Sequence, residues 1–104
     1  MITESEYLAL PAIDVVNNSR WDILKKAGFD LDYGNPDNWV DTGAIIERMQ
    51  ELGFKFEINS IRGAIGKYDV YFCTSDESEY WNWENDNIHH AVQIAAGKAL
   101  GVIG

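Results

Sequence analysis

The stretch TGAIIERMQELGFKFEI, residues 42–58, changes its hydrophobic period at Gly53. The apolar residues before this glycine recur at the spacing of one face of an α-helix: Ile45, Ile46, Met49 and Leu52. Those after it alternate with polar residues, as in a strand with one buried face: Phe54, Phe56 and Ile58. The stretch therefore predicts a helix near 42–52, capped by Asp41 or Thr42, and then a strand near 54–61.

Two more strands follow with the same period of two, near 67–74 and near 79–84. Their inward residues are Tyr68, Val70 and Phe72 in the second strand and Trp81 and Trp83 in the third. Tyr80 and Glu84 take the outer face of the third strand. Short turns, the first at 62–66, separate the strands closely enough for hairpins, so we expect an antiparallel meander.

Helices are predicted both before and after the strands in the sequence. Thr3 begins a capping box for a short helix, and Ser19 is a good N-cap for a helix at 20–27. A final helix near 87–100 is rich in alanine, and Lys98 is its one charged residue. The small side chains of this last helix permit close packing on a sheet.

The order of elements predicts an α+β domain. We expect a three-stranded antiparallel meander sheet packed by flanking helices, in a two- or three-layer sandwich. At 104 residues the chain can bury one modest core, so 1–104 is a single domain. Residues 1–40 form its helical and loop part, and 41–101 its helix-strand-strand-strand-helix core.

Part of this core resembles the phage ABA sandwich family of small phage and prophage accessory proteins. The similar segments are the helix at 42–49, the strands at 53–58 and 68–72, and the alanine-rich end from His90 to Leu100. The resemblance covers residues 39–100 and lies in element order and hydrophobic pattern. It implies an α/β sandwich of phage origin and supplies no catalytic residues.

Charge is distributed unevenly along the chain. Seventeen acids against eight bases give a formal net charge of −9, and residues 68–97 contain no lysine or arginine. Such a charge repels nucleic acids and anionic lipids, so we expect neither direct nucleic-acid binding nor a membrane partner. It favours a cationic protein partner instead. The candidate partner-binding residues are Asp69, Asp76, Glu77, Glu79, Tyr80, Glu84 and Asp86.

These observations lead to a functional hypothesis. A phage product that is acidic, compact and aromatic suggests an inhibitor of a host defence system that handles nucleic acid, of anti-CRISPR or anti-restriction type. Its acidic surface would mimic nucleic acid in a host protein's basic channel. One alternative is a protein that binds or sequesters a nucleotide-like small molecule. Another is a phage structural or assembly protein that forms a homo-oligomer through the C-terminal helix.

Enzymatic chemistry finds little support in the sequence. Cys73 has no basic neighbour to stabilise a thiolate, and the adjacent His89 and His90 point about 100° apart on a helix, which is poor for one metal ion. We therefore expect no catalytic residues, no metal and no cofactor. Glu4 and Glu6 stand where a signal peptide needs positive charge, so we expect a location in the cytoplasm of the infected host.

Overall fold

A computed structural model describes residues 2–13, 18–31, 35–60 and 67–104. The described chain has four helices and three strands: α1 (Glu4–Ala9), α2 (Arg20–Lys26), α3 (Trp39–Glu51), β1 (Lys55–Ser60), β2 (Tyr68–Cys73), β3 (Tyr80–Asn85) and α4 (Ile88–Ala99). The predicted α+β class is confirmed. The turn predicted at 62–66 lies outside the described residues.

The sheet is the predicted meander. Its strands lie in the order β1-β2-β3, and both neighbouring pairs are antiparallel. Phe56 is opposite Phe72, and Val70 is opposite Trp83, so the inward residues of the three strands lie side by side. Val70 and Phe72 are completely buried.

Helices α3 and α4 cover the inner face of the sheet. The central core contains Ile45 and Met49 from α3, Phe72 from β2, and Val92 and Ala96 from α4. Every residue from 91 to 97 is buried within the chain itself. Oligomerisation through this helix stays a prediction, but its apolar composition is already explained by packing inside one copy.

Helix α2 contributes to the same core, whereas the buried Tyr7 of α1 lies in a second cluster with Ile94 and Ile103. The capping box is formed: the Thr3 side chain accepts from the N–H of Glu6, and the Glu6 carboxylate accepts from the N–H of Thr3. Ser19 caps α2 as predicted. Leu24 and Phe29 lie in the same cluster of buried side chains as the residues of α3 and β2.

Two predictions about α3 were wrong. The helix begins at Trp39 because Asn38, rather than Asp41 or Thr42, accepts a hydrogen bond from the first turn at 2.9 Å, at the N–H of Asp41. Leu52 is 46% exposed instead of buried. It follows the last helical residue, at an end of the domain where it lines a surface hollow with Phe54.

Candidate protein-binding site

The outer face of the sheet carries the residues that alternate with the core positions. They form three cross-strand rows: Lys55, Cys73 and Tyr80; Glu57, Tyr71 and Asn82; Asn59, Asp69 and Glu84. Helices α3 and α4 pack on the opposite face, and Glu57, Asn59, Asn82 and Glu84 are exposed. The face is therefore polar, aromatic and open to a partner.

Three of the seven predicted site residues lie together on this face. Tyr80 is 70% exposed, more than any other large hydrophobic side chain in the described chain. Asp69 and Glu84 are directly opposite each other on neighbouring strands. Like charges in this position disfavour the pairing of two strands, and the Asn82 amide partly offsets this by donating to Asp69 at 3.3 Å.

Three more predicted residues lie in the turn between β2 and β3. Asp76 accepts from the Thr74 hydroxyl at 2.7 Å and from the Ser78 hydroxyl and N–H at 2.8 and 3.1 Å. These bonds lower the pKa of Asp76 to about 2. Glu77 has a φ of 59°, which is uncommon for a side-chain-bearing residue. Asp76 thus stabilises the turn, so its replacement would disturb the local structure. Glu79 is exposed, so reversing its charge tests the charge of this surface more directly.

The last predicted residue, Asp86, is exposed just beyond β3, at the same end of the sheet as Glu84. Two lysines border the face. Lys55 lies 3.8 Å from Glu77, so one carboxylate already compensates its charge, and Lys67 is exposed just before β2. The remaining acids leave the face with an excess of negative charge.

A hollow of about 250 Å³ lies on this face, lined by Asp69, Tyr71, Tyr80 and Asn82. The Tyr71 hydroxyl donates to Glu57. Trp81 and Trp83 lie on the inner side, where Trp81 makes an edge contact with Phe54 at 5.8 Å between ring centroids. The two tryptophans therefore cannot line the nucleotide pocket of the small-molecule alternative on this face.

The two histidines have separate partners. His89 Nδ1 lies 2.7 Å from the Thr42 hydroxyl, and His90 Nε2 lies 3.2 Å from the Asp37 carboxylate. Burial lowers the pKa of His89, which favours its neutral form. Among the residues that the structure describes, no three His, Cys, Asp or Glu side chains converge as metal ligands.

A buried polar network was missed by the sequence analysis. Arg20 makes two bonds of 2.6 Å to the Asp37 carboxylate and one of 2.9 Å to the Gln93 oxygen. The Tyr7 hydroxyl also donates to that oxygen at 2.6 Å, and the Gln93 amide donates to Asp37 at 2.9 Å. The network ties α1, α2 and the loop before α3 to α4. Its interior position indicates a structural role.

An exposed apolar area at the start of α3 was also missed by the sequence analysis. Trp39 is 66% and Val40 is 54% exposed at the start of α3, and they line a hollow with Asn35 and Asn38. Placing the N-cap at Asn38 would have revealed it, because Trp39 and Val40 then fall on the helix face opposite Ile45. None of the described residues that line this hollow is charged.

Within the described residues, no helix combines the length and apolar character needed to cross a bilayer. No protein-family model matches the chain, and no curated protein or solved structure shows significant similarity to it. The resemblance to the phage ABA sandwich family therefore stays a prediction.

Proposed function

We propose that this protein is a phage-encoded, non-enzymatic inhibitor of a host defence protein that handles nucleic acid. In this proposal, its acidic sheet face occupies a basic channel of a CRISPR or restriction protein in the host cytoplasm. The observation that carries the proposal is the outer face of the sheet, on which Asp69 and Glu84 are opposed and which also carries the exposed Tyr80.

The electrostatics of this face support the choice of partner. Acids on an open surface raise the association rate of a cationic protein, by roughly tenfold or more at low salt. They also repel free DNA and RNA, so the protein would compete with nucleic acid for the partner instead of binding it. An exposed tyrosine supplies the type of contact that dominates many protein interfaces.

The opposition of Asp69 and Glu84 also supports a cationic partner. A pair of like charges lowers the stability of an isolated sheet, so the fold alone gives no reason for it. A partner that places a cation between the two carboxylates converts this repulsion into attraction. Binding sites are where sequences tolerate such local conflicts.

A plaquing assay tests the proposal. Bacterial strains, each carrying one restriction or CRISPR system, express the protein and are infected with a phage that this system targets. We expect the wild-type protein to restore plaques on at least one strain. The variant Glu79→Lys/Glu84→Lys/Asp86→Lys should fail there, because its face no longer attracts a basic channel.

The matched control is Asp30→Lys/Glu47→Lys/Glu51→Lys, which makes the same change in net charge on the helical side of the domain. It should restore plaques like the wild type. Equal protection by both variants, or no restoration on any strain, would reject the inhibitor hypothesis. Inhibition of the purified defence nuclease should weaken as salt rises, because exposed charge pairs are screened.

A further inference from the structure

The hollow on the outer face has the dimensions and lining of a site for one side chain. Its volume of about 250 Å³ is below the range of about 300–1,000 Å³ that is usual for small-molecule pockets. Two of its four lining residues are tyrosines, one is a carboxylate and one is an amide. We propose that this hollow receives an arginine side chain of the protein partner, so the inference rests on the proposed function.

Charge and shape both favour a guanidinium group. Asp69 already accepts one bond from Asn82 at 3.3 Å, but a carboxylate has further acceptor positions. The Asn82 amide donates to Asp69 through its nitrogen, and an amide carbonyl oxygen can accept a guanidinium N–H. Glu84, opposite Asp69, adds negative charge at the border of the hollow.

The tyrosines distinguish arginine from lysine. A planar guanidinium stacks on an aromatic ring and gives up its weakly held water more easily than an ammonium does. Tyr80 offers an exposed ring for this contact. The half-buried Tyr71, whose hydroxyl donates to Glu57, supplies a second aromatic ring to the lining of the hollow.

Two fluorescent peptides, hexa-arginine and hexa-lysine, test the inference with the full chain at low salt. They carry the same charge, so a general acidic surface binds both similarly. We expect the wild-type protein to bind hexa-arginine roughly fivefold or more tightly by fluorescence anisotropy. Tyr80→Leu and Asp69→Asn should each bring the two affinities close together. The side-chain amide signal of Asn82 should shift when hexa-arginine is added.

The matched controls remove comparable groups elsewhere. Trp39→Ala deletes another exposed aromatic ring and Asp30→Asn another exposed carboxylate, and both should keep the preference for arginine. Equal binding of the two peptides by the wild type would overturn the inference. So would a preference that survives Tyr80→Leu. Neither outcome affects the proposed function, which is tested separately by Glu79→Lys/Glu84→Lys/Asp86→Lys in the plaquing assay.

Discussion

At the scale of single residues, the Asp37 carboxylate joins three side chains: Arg20, His90 and Gln93. Burial raises its pKa, but hydrogen bonds from Arg20, His90 and Gln93 outweigh this effect and hold the pKa well below its usual range. The Arg20 side chain is only 6% exposed, so its charge depends on this carboxylate for compensation.

We expect Asp37→Asn to lower the free energy of unfolding by about 3 kcal/mol, near the lower end for a broken buried ion pair, because Asp37 is 23% exposed. Urea unfolding at pH 7 measures this. Asp30→Asn, at a carboxylate that is 95% exposed and 3.9 Å from Lys25, should cost less than about 1 kcal/mol. Equal losses in the two variants would contradict a special role for Asp37.

The difference in unfolding free energy between wild type and Asp37→Asn should depend on pH. A carboxylate whose pKa is lowered by folding stabilises the protein above its unfolded pKa, about 3.8 for Asp37, and loses this effect as the pH falls toward the folded value. The gap in stability between wild type and Asp37→Asn should therefore narrow below about pH 4. A gap that widens in acid would show that the carboxylate is not the stabilising group.

At the scale of elements, the end of α4 depends on a residue without a side chain. A Cβ at Gly97 would lie 2.5 Å from Ile103 Cδ1 and 2.8 Å from its Cγ1. The N–H groups of Val102 and Ile103 both donate to the Gly97 carbonyl, at 2.9 and 3.1 Å. The C-terminal segment thus folds back onto the helix at the position of this glycine.

Gly97→Ala should destabilise the wild-type protein by up to about 2 kcal/mol, since overpacking costs about 1–3 kcal/mol and helix propensity returns about 1. In an Ile103→Ala background the clash is gone, so the same change should stabilise by up to about 1 kcal/mol. A double-mutant cycle in urea measures the reversal of sign. Gly43→Ala in α3, where a Cβ meets nothing within 4 Å, should stabilise in both backgrounds.

Much of this element structure could be predicted from sequence. The change of period at Gly53, the caps at Thr3 and Ser19 and the outward position of Tyr80 are local patterns, and each is confirmed. The N-cap of α3 was misplaced because Asn38 and Asp41 are both good caps. An adjacent Trp-Val pair gave no periodic signal to choose between them.

The polar network and the charge pair on the sheet could not be predicted, because they join residues that are far apart in the sequence. Arg20 bonds to residues 17 and 73 positions away, so the polar network has no sequence signature. The opposition of Asp69 and Glu84 depends on strand register, which the turn between β2 and β3 sets. Of the predicted acids, Glu84 is exposed and Asp69 is half-buried, and the sequence did not predict that these two meet.

At the scale of the whole molecule, acidity affects stability as well as recognition. A net charge of −9 on 104 residues causes self-repulsion, which salt reduces. The acids of the outer face and the β2–β3 turn lie close together, so they should contribute much of this repulsion. The ion pair of Arg20 with Asp37, at 2.6 Å and largely buried, is shielded from salt.

We expect the melting temperature of the wild-type protein to rise by a few degrees between 10 mM and 0.5 M NaCl, where about 5 °C corresponds to roughly 1 kcal/mol. Glu79→Lys/Glu84→Lys/Asp86→Lys should begin at a higher value and gain less. Thermal unfolding followed by circular dichroism measures both effects. A fall in melting temperature with salt would mean that attractive surface pairs outweigh the repulsion.

The chain also joins its two ends: Ile2 pairs with Ile103 in a parallel bridge, and the N–H of Gly104 donates to the Ile2 carbonyl at 2.7 Å. Closing this long loop carries a larger entropic cost than closing the hairpin between β2 and β3. Folding should therefore begin within residues 55–99 and finish when the ends meet. In the native state the ends should open first, and their amide hydrogens should exchange with solvent before those of β2 and α4.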